Sequence, residues 1–224
     1  MEGIRGKDSF TVDRATLLGL TLPHGAALLD IGTGDGRYVS HVARANPDCF
    51  AVGLDACREN LRRTSRLAPP NALYVIANAL ALPEELSGWA TRLTINFPWG
   101  SLLEGLAEGR EGLYTGLTRA ARPGSTLDIR LNAGALSRGG WPAQTAAGRV
   151  CDALHCLGWR VSPPVTMSAE ALRRFPSQWA RQLAYGPSPR GINLRAVYAP
   201  APHTRGRARG IPLWVPSRPP SLDN

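Results

Sequence analysis

One short stretch constrains this chain more than any other. Ala26-Ala27-Leu28-Leu29-Asp30-Ile31 is an apolar run interrupted by an acid, and Gly32-Thr33-Gly34-Asp35-Gly36 follows at once. The run has the length and apolar continuity of a buried strand. The glycines let the backbone turn sharply and come close to a ligand. Arg37 to Asn46 then has helical periodicity, with Val39, Val42 and Ala43 on one face and Pro47 as a stop. A strand, a glycine loop and a helix in that order start a doubly wound α/β sheet.

The rest of the chain repeats the alternation. Strands are predicted over Cys49 to Asp55, Ala72 to Ala77, Thr91 to Phe97 and Ser125 to Leu131, the last one after an Arg122-Pro123-Gly124 turn. Helices are predicted over Arg58 to Leu67, Gly100 to Ala121 (interrupted at Gly109 and Gly112) and Ala143 to Leu157. Ala133 to Pro142 is expected to be a glycine-rich connection. Trp159 to Val161 and Leu194 to Tyr198 complete seven strands, with short helices at Ser168 to Phe175 and Gln178 to Tyr185 between them. The expectation is a mostly parallel, Rossmann-like sheet with right-handed crossovers. It occupies 1–199, with substrate-side insertions at 133–145 and 163–191. Residues 200–224 are rich in proline and arginine, lack a periodic apolar pattern and are expected to form a mobile tail.

The spacing Gly32-x-Gly34-x-Gly36 is not the GxGxxG of dinucleotide binders. Asp55, about twenty residues on, closes the second predicted strand, where a carboxylate can accept both hydroxyls of a ribose. A pyrophosphate needs a helix N-terminus free of acids. Asp30 and Asp35 flank this loop and suit a cationic ligand instead, such as the sulfonium and amino group of S-adenosylmethionine. The pattern resembles class I methyltransferases. In that fold Asn78-Ala79 lies near the cofactor's adenine, where Asn78 either bonds the ring or caps a turn.

Charge gives a second indication. The chain carries 26 Lys and Arg against 17 Asp and Glu, a formal net charge of +9. That balance suits a polyanionic partner, most simply nucleic acid. Lys7 is the only lysine, so the excess is almost wholly arginine. Cys49, Cys57, Cys151 and Cys156 form no CxxC pair, and Cys151 with His155 lacks further ligands, so no metal site is expected. No apolar run nears the ~20 residues that span a bilayer, and Met1 to Ser9 is polar, so a cytoplasmic protein is expected.

The fourth predicted strand ends in Asn96-Phe97-Pro98-Trp99-Gly100-Ser101-Leu102-Leu103. Ligands of open α/β sheets sit beyond the carboxyl ends of the strands. A large aromatic there suits stacking on a flat base, worth ~1–3 kcal/mol. Pro98-Trp99-Gly100-Ser101-Leu102-Leu103 resembles the motif of aminoglycoside-resistance 16S rRNA methyltransferases. These act on N1 of the decoding-site adenine numbered 1408 and include the kanamycin–apramycin resistance type. Gly6-Lys7 resembles that family's N-terminal hairpin, Leu29 to Gly36 its cofactor loop and Arg122-Pro123-Gly124 its turn. Ser177-Gln178-Trp179-Ala180-Arg181 resembles its second tryptophan segment. The likeness covers about residues 3 to 199.

The resemblance implies methyl transfer from S-adenosylmethionine to N1 of a flipped adenine in the small ribosomal subunit, with potential aminoglycoside resistance. Trp99 and Trp179 would sandwich the base without a general base. Asp30, Gly32, Thr33, Gly34, Asp55, Asn78, Ala79, Ser101 and Ser177 would hold the cofactor. Lys7, Arg181 and Arg190 would bind rRNA; a monomer is the default expectation, which no residue pattern sets. Asn96-Phe97-Pro98-Trp99 also resembles the Asn-Pro-Pro-aromatic motif of amino-group (N6-adenine type) methyltransferases, in which the Asn accepts hydrogens from the target amine. It resembles, too, the Asn-Phe-Pro segment of tRNA guanine-N7 methyltransferases. A non-catalytic RNA-binding or ribosome-assembly protein on the same scaffold is the remaining reading.

Overall fold

The computed structural model describes residues 1–185 and 191–200, with Gln178 and Trp179 described by their backbone alone. The chain opens with a hairpin, β1 (Glu2–Arg5) and β2 (Asp8–Thr11), which turns at Gly6 with φ +66°. Helix α1 (Arg14–Thr21) follows, capped by Asp13, whose carboxylate accepts the Thr16 N–H at 2.7 Å. The alternating part runs β3 (Ala26–Ile31), α2 (Arg37–Ala45), β4 (Cys49–Asp55), α3 (Arg58–Arg66) and β5 (Ala72–Ile76). It continues as β6 (Ala90–Asn96), α4 (Gly100–Glu108), α5 (Glu111–Ala120), β7 (Ala121–Asn132), α6 (Ala133–Arg138) and α7 (Ala143–Cys156). The last elements are β8 (Trp159–Val161), β9 (Val165–Thr166), α8 (Ala169–Arg174), α9 (Gln178–Leu183) and β10 (Gly191–Tyr198).

All ten described strands join one sheet in the order β2-β1-β5-β4-β3-β6-β7-β10-β8, with β9 on β10. The pairs among β3 to β7 are parallel, whereas β10 runs antiparallel to β7, β8 and β9. This is the expected class: a largely parallel, doubly wound sheet. The chain leaves β3 on one side for β4 and β5 and returns on the other for β6 and β7. That reversal opens a crevice beyond the carboxyl end of β3. Leu28, Leu29 and Ile31 are fully buried, as a central parallel strand requires. Helix α2 turns Val39, Val42 and Ala43 onto the sheet.

Four readings change. The predicted Arg122-Pro123-Gly124 turn lies inside β7, which is one strand from Ala121 with a register shift against β6 and Gly124 at φ +86°. An irregularity of this kind absorbs the extra residues without ending the pairing. The predicted connection from Ala133 begins as α6, because the Asn132 side chain accepts the Ala135 N–H at 3.1 Å. The predicted helical stretch from Gly100 to Ala121 is interrupted at Gly109 as expected, where φ +74° ends α4, but Gly112 lies inside α5. Seven strands were predicted, and β1, β2 and β9 add three short ones. The tail reading falls on residues 201–224, outside the described residues.

Gly36 joins this framework to the loop after β3. It has φ +73°, caps α2, and its carbonyl accepts the Tyr74 O–H at 2.9 Å. A Cβ on it would stand 2.5 Å from the Tyr74 ring. Gly36→Ala is expected to cost about 2–4 kcal/mol, the left-handed penalty plus overpacking. Urea unfolding of the variant beside the parent measures it.

Candidate cofactor and base-binding site

A cavity of about 560 Å³ opens at the predicted switch point, within the range of small-molecule sites. Its floor is Asp30 at the end of β3 with Gly32, Thr33 and Gly34. One wall is Asp55 at the end of β4 and Asn78-Ala79 after β5. The other is Asn96, Phe97 and Trp99 after β6, with Ser101 in the first turn of α4. Phe175, Pro176 and Ser177, between α8 and α9, close the remaining side. Every predicted cofactor-binding residue therefore meets in one cavity, and Trp99 joins them.

Asp30 is 1% exposed. Its Oδ1 accepts the Thr94 hydroxyl at 2.6 Å and the Asn96 amide at 2.8 Å. Burial raises its pKa to about 6, against the lowering effect of Thr33, Thr94, Asn96 and the Arg130 charge. Asp55 is organised differently. Its Oδ2 accepts the Gly34 N–H at 2.8 Å, and its Oδ1 accepts the Cys57 N–H at 2.9 Å and the Asn60 amide at 3.3 Å. The glycine loop is thus strapped to the second acid. The cavity end presents two carboxylates to a ligand, an acceptor set that selects for cationic and hydroxyl groups. Gly34, at φ +58°, would set a Cβ into space with nothing within 4 Å, so the loop leaves room for a ligand beside it. These features fit S-adenosylmethionine: Asp30 toward its charged end and Asp55 toward its ribose.

Asn78 shows the local role among its two readings: its Oδ1 accepts the Leu80 N–H at 2.9 Å while the residue lines the cavity. Asn96 also has a settled orientation. Its amide nitrogen donates to Asp30, and its oxygen accepts from Arg130 Nη1 at 2.8 Å. An oxygen engaged by a guanidinium is poorly placed to accept hydrogens from a target amine, as the amino-group methyltransferase reading requires.

The Trp99 side of the cavity is built from strain and aromatic packing. Phe97 is 3% exposed and holds φ +51°, a conformation that costs a non-glycine residue about 1–2 kcal/mol. The turn it makes lifts Trp99 to the cavity mouth, 41% exposed. The Arg138 guanidinium lies 5.2 Å from the Trp99 ring centroid, so one face of the indole already receives a cation. Trp179 lies in the first turn of α9, and its side chain is outside the described part. Lys7, in the β1–β2 turn, and Arg181, on α9, are exposed and do not line the cavity; Arg190 is outside the described residues.

Sequence reasoning missed Tyr38, Phe175 and Arg130. Phe175 stacks on Tyr38 (ring centroids 5.3 Å, interplanar 7°) and meets Phe97 edge-on at 5.5 Å. Tyr38 had a signal, since it shares the inward face of α2 with Val42. Phe175 had none, because the rings it meets, Tyr38 and Phe97, lie more than seventy residues away in the chain.

A family model described as 16S rRNA (adenine(1408)-N(1))-methyltransferase matches residues 2–198. The 16S rRNA (adenine(1408)-N(1))-methyltransferase of Streptoalloteichus hindustanus is 30% identical over 199 residues, 82% of this chain and 92% of that one. Among solved structures, the 16S rRNA methyltransferase KamB has a TM-score of 0.79 at 27% identity, covering 89% of this chain and 100% of that one. A tryptophan-to-alanine mutant of the 16S rRNA (adenine(1408)-N(1))-methyltransferase from Catenulisporales acidiphilia was solved with the cosubstrate SAM. It has a TM-score of 0.77 at 26% identity, covering 93% of this chain and 100% of that one.

The Asp30 environment gives opposite signs for folding and for cofactor binding. Between the ordinary carboxyl pKa of 3.8 and about 6, the folded chain binds more protons than the unfolded one. Stability from this group is therefore full below 3.8 and is lost as pH rises through 6. Affinity for a cationic ligand runs the other way and weakens as pH falls below about 6. Asp30→Asn keeps an oxygen for Thr94 and Asn96 but removes the charge. At pH 7.5 its Tm is expected at or above the parent's, with S-adenosylmethionine affinity roughly tenfold weaker. Differential scanning fluorimetry and titration calorimetry between pH 5 and 8 test both.

Proposed function

This chain belongs to the 16S rRNA (adenine(1408)-N(1))-methyltransferase family, and we propose that it methylates N1 of adenine 1408 in the small ribosomal subunit, using S-adenosylmethionine. The observation that carries this reading is one cavity with an acidic end, Asp30 and Asp55, and an aromatic mouth, Trp99.

When bound, S-adenosylmethionine supplies an electrophilic methyl group on a sulfonium. Asp30, Asp55 and the Gly32–Gly34 loop hold it, with Asn78-Ala79, Ser101 and Ser177 around it. The acceptor, adenine N1, has an in-plane lone pair, so no residue must first remove a proton. What the protein supplies is position: reacting atoms held in line avoid an entropic cost that would otherwise burden the transition state. The target base must leave its stack, at a cost of a few kcal/mol. Trp99 and Trp179 offset that cost by stacking on its two faces. The methylated ring is cationic until its exocyclic amine loses a proton, and an indole face favours such a cation.

The net charge of +9 brings the chain to the rRNA, with Lys7, Arg181 and Arg190 among the phosphate contacts. The protein acts as a monomer in the cytoplasm on the assembled subunit. Among the described residues, no helix is long and apolar enough to cross a membrane. Modification of the decoding site gives resistance to aminoglycosides of the kanamycin and apramycin type.

Purified small subunits, labelled S-adenosylmethionine and the protein test the reading, with the product mapped by primer extension. A stop at adenine 1408 is expected, and Trp99→Ala is expected to lower the rate by about 5- to 150-fold, the ~1–3 kcal/mol of lost stacking. Trp99→Phe should restore part of it. N6-methyladenine, or label in tRNA alone, would overturn the N1 assignment.

A further inference from the structure

Arg130 is a buried cation in none of the roles assigned above. Its side chain is 12% exposed. It stands on β7 opposite Asn96 of β6. Nη1 donates to Asn96 Oδ1 at 2.8 Å, and Nη2 lies 3.8 Å from Asp128 Oδ2. The guanidinium carbon sits 4.9 Å from the centroid of the Phe175 ring. The main chain takes part too, since the Arg130 carbonyl accepts the Phe97 N–H at 2.7 Å.

These contacts reach both sides of the cavity. Asn96 and Phe97 lead directly into Trp99. Phe175 leads through Pro176 and Ser177 into α9, which carries Trp179. We infer that Arg130 is a positioning residue that joins the two halves of the base-binding site, fixing the Trp99 loop through Asn96 and the α8–α9 segment through Phe175. The inference rests on the site reading given under Proposed function.

The chemistry explains why an arginine stands here. A guanidinium is planar, so its edge can bond Asn96 and face Asp128 while its flat side covers an aromatic ring. A lysine has the charge without the plane. Nor is Arg130 needed to neutralise Asp128. That carboxylate, 1% exposed, pairs with Arg195 Nε at 2.9 Å and faces Arg92 Nη2 at 3.8 Å. Replacing Arg130 therefore leaves no isolated buried charge. What it releases is Asn96, whose amide donates to Asp30, and Phe175, which loses the group that covers it.

The tests are Arg130→Met, Arg130→Lys and Phe175→Leu in the full chain. Three properties are measured: Tm, S-adenosylmethionine affinity from pH 5 to 8, and the kcat–KM split on purified small subunits. Docking uses surface cations elsewhere, so KM for subunits should stay within about threefold in all three variants. kcat should fall at least tenfold in each, because Lys cannot bond Asn96 and cover Phe175 together. The pH profile separates the two arms. Arg130, Tyr38 and Tyr74 interact with Asp30, and Asp128 and Arg92 stand beside Tyr38. Arg130 is the cation acting on Asp30, so Arg130→Met should move the acid limb of cofactor binding to higher pH. Arg130→Lys and Phe175→Leu should leave that limb in place.

Parent kcat in Arg130→Met overturns the inference. So does a collapse of Tm in Arg130→Met with full kcat in Arg130→Lys, which would make Arg130 a structural charge only. If the parent methylates no subunit, the function reading fails separately, and the acid limb decides the Asn96 arm: unshifted in Arg130→Met, it overturns that arm as well.

Discussion

A carboxylate without water must be satisfied by its neighbours, and Asp30 imposes that demand at the centre of the sheet. Its side chain accepts from Thr94 and Asn96, both on β6, so the end of β3 is tied to the end of the strand that leads into Trp99. Asn96 can meet the demand because Arg130 on β7 holds its oxygen. Arg130 faces Asp128, which also pairs with Arg195 on β10. One buried charge at the cofactor end is thus compensated through four adjacent strands. In a low-dielectric interior each member orients the next, and the loss of one is felt by the others. The burial that raises the Asp30 pKa also leaves the carboxylate poorly hydrated, which strengthens its pull on a cationic ligand.

The fold was legible because its signals are local. β4 and β8 were predicted to the residue, and β3 likewise, since apolar runs of strand length bounded by Gly, Pro or Asp leave little choice. The glycine loop and the two acids were legible because the fold brings strand ends separated by about twenty-five residues to one edge. All nine predicted cofactor residues line the cavity, Ser101 and Ser177 among them having come from the family resemblance alone. Where local signals conflicted, tertiary pairing won. Arg122-Pro123-Gly124 has turn chemistry, but β6 stays paired beyond it and the sheet keeps the segment as an irregular strand. Ala133 to Pro142 looks like a glycine-rich connection, yet one cap by Asn132 makes its first six residues helical.

The missed part of the site consists of contacts without a sequence period. Phe175 belongs to the α8–α9 segment, whose small apolar cluster of Leu172, Ala180 and Ala184 packs with Phe97. Nothing near Phe175 in the chain shows that its ring lies between Tyr38 and Arg130. Arg130 is one arginine among many in a chain whose cations are nearly all arginine, and only its register against Asn96 distinguishes it. Composition led to the surface and to nucleic acid. At least one of those cations instead belongs to the interior.

Phe97 connects the two levels. A buried aromatic residue at φ +51° is costly, and it persists only where its surroundings over-determine it. Here its amide is held by the Arg130 carbonyl, its ring meets Phe175, and Leu172 and Ala180 pack around it. The strain yields a chain reversal immediately after β6, so Trp99 leaves the sheet edge at the mouth of the cavity rather than inside the core. An unstrained extended Phe97 would carry the indole onward in the strand direction, away from the acids that define the other end. The position of Trp99 thus depends on packing donated by a segment more than seventy residues away. The α8–α9 segment does more than line the cavity: it holds the loop from which Trp99 projects.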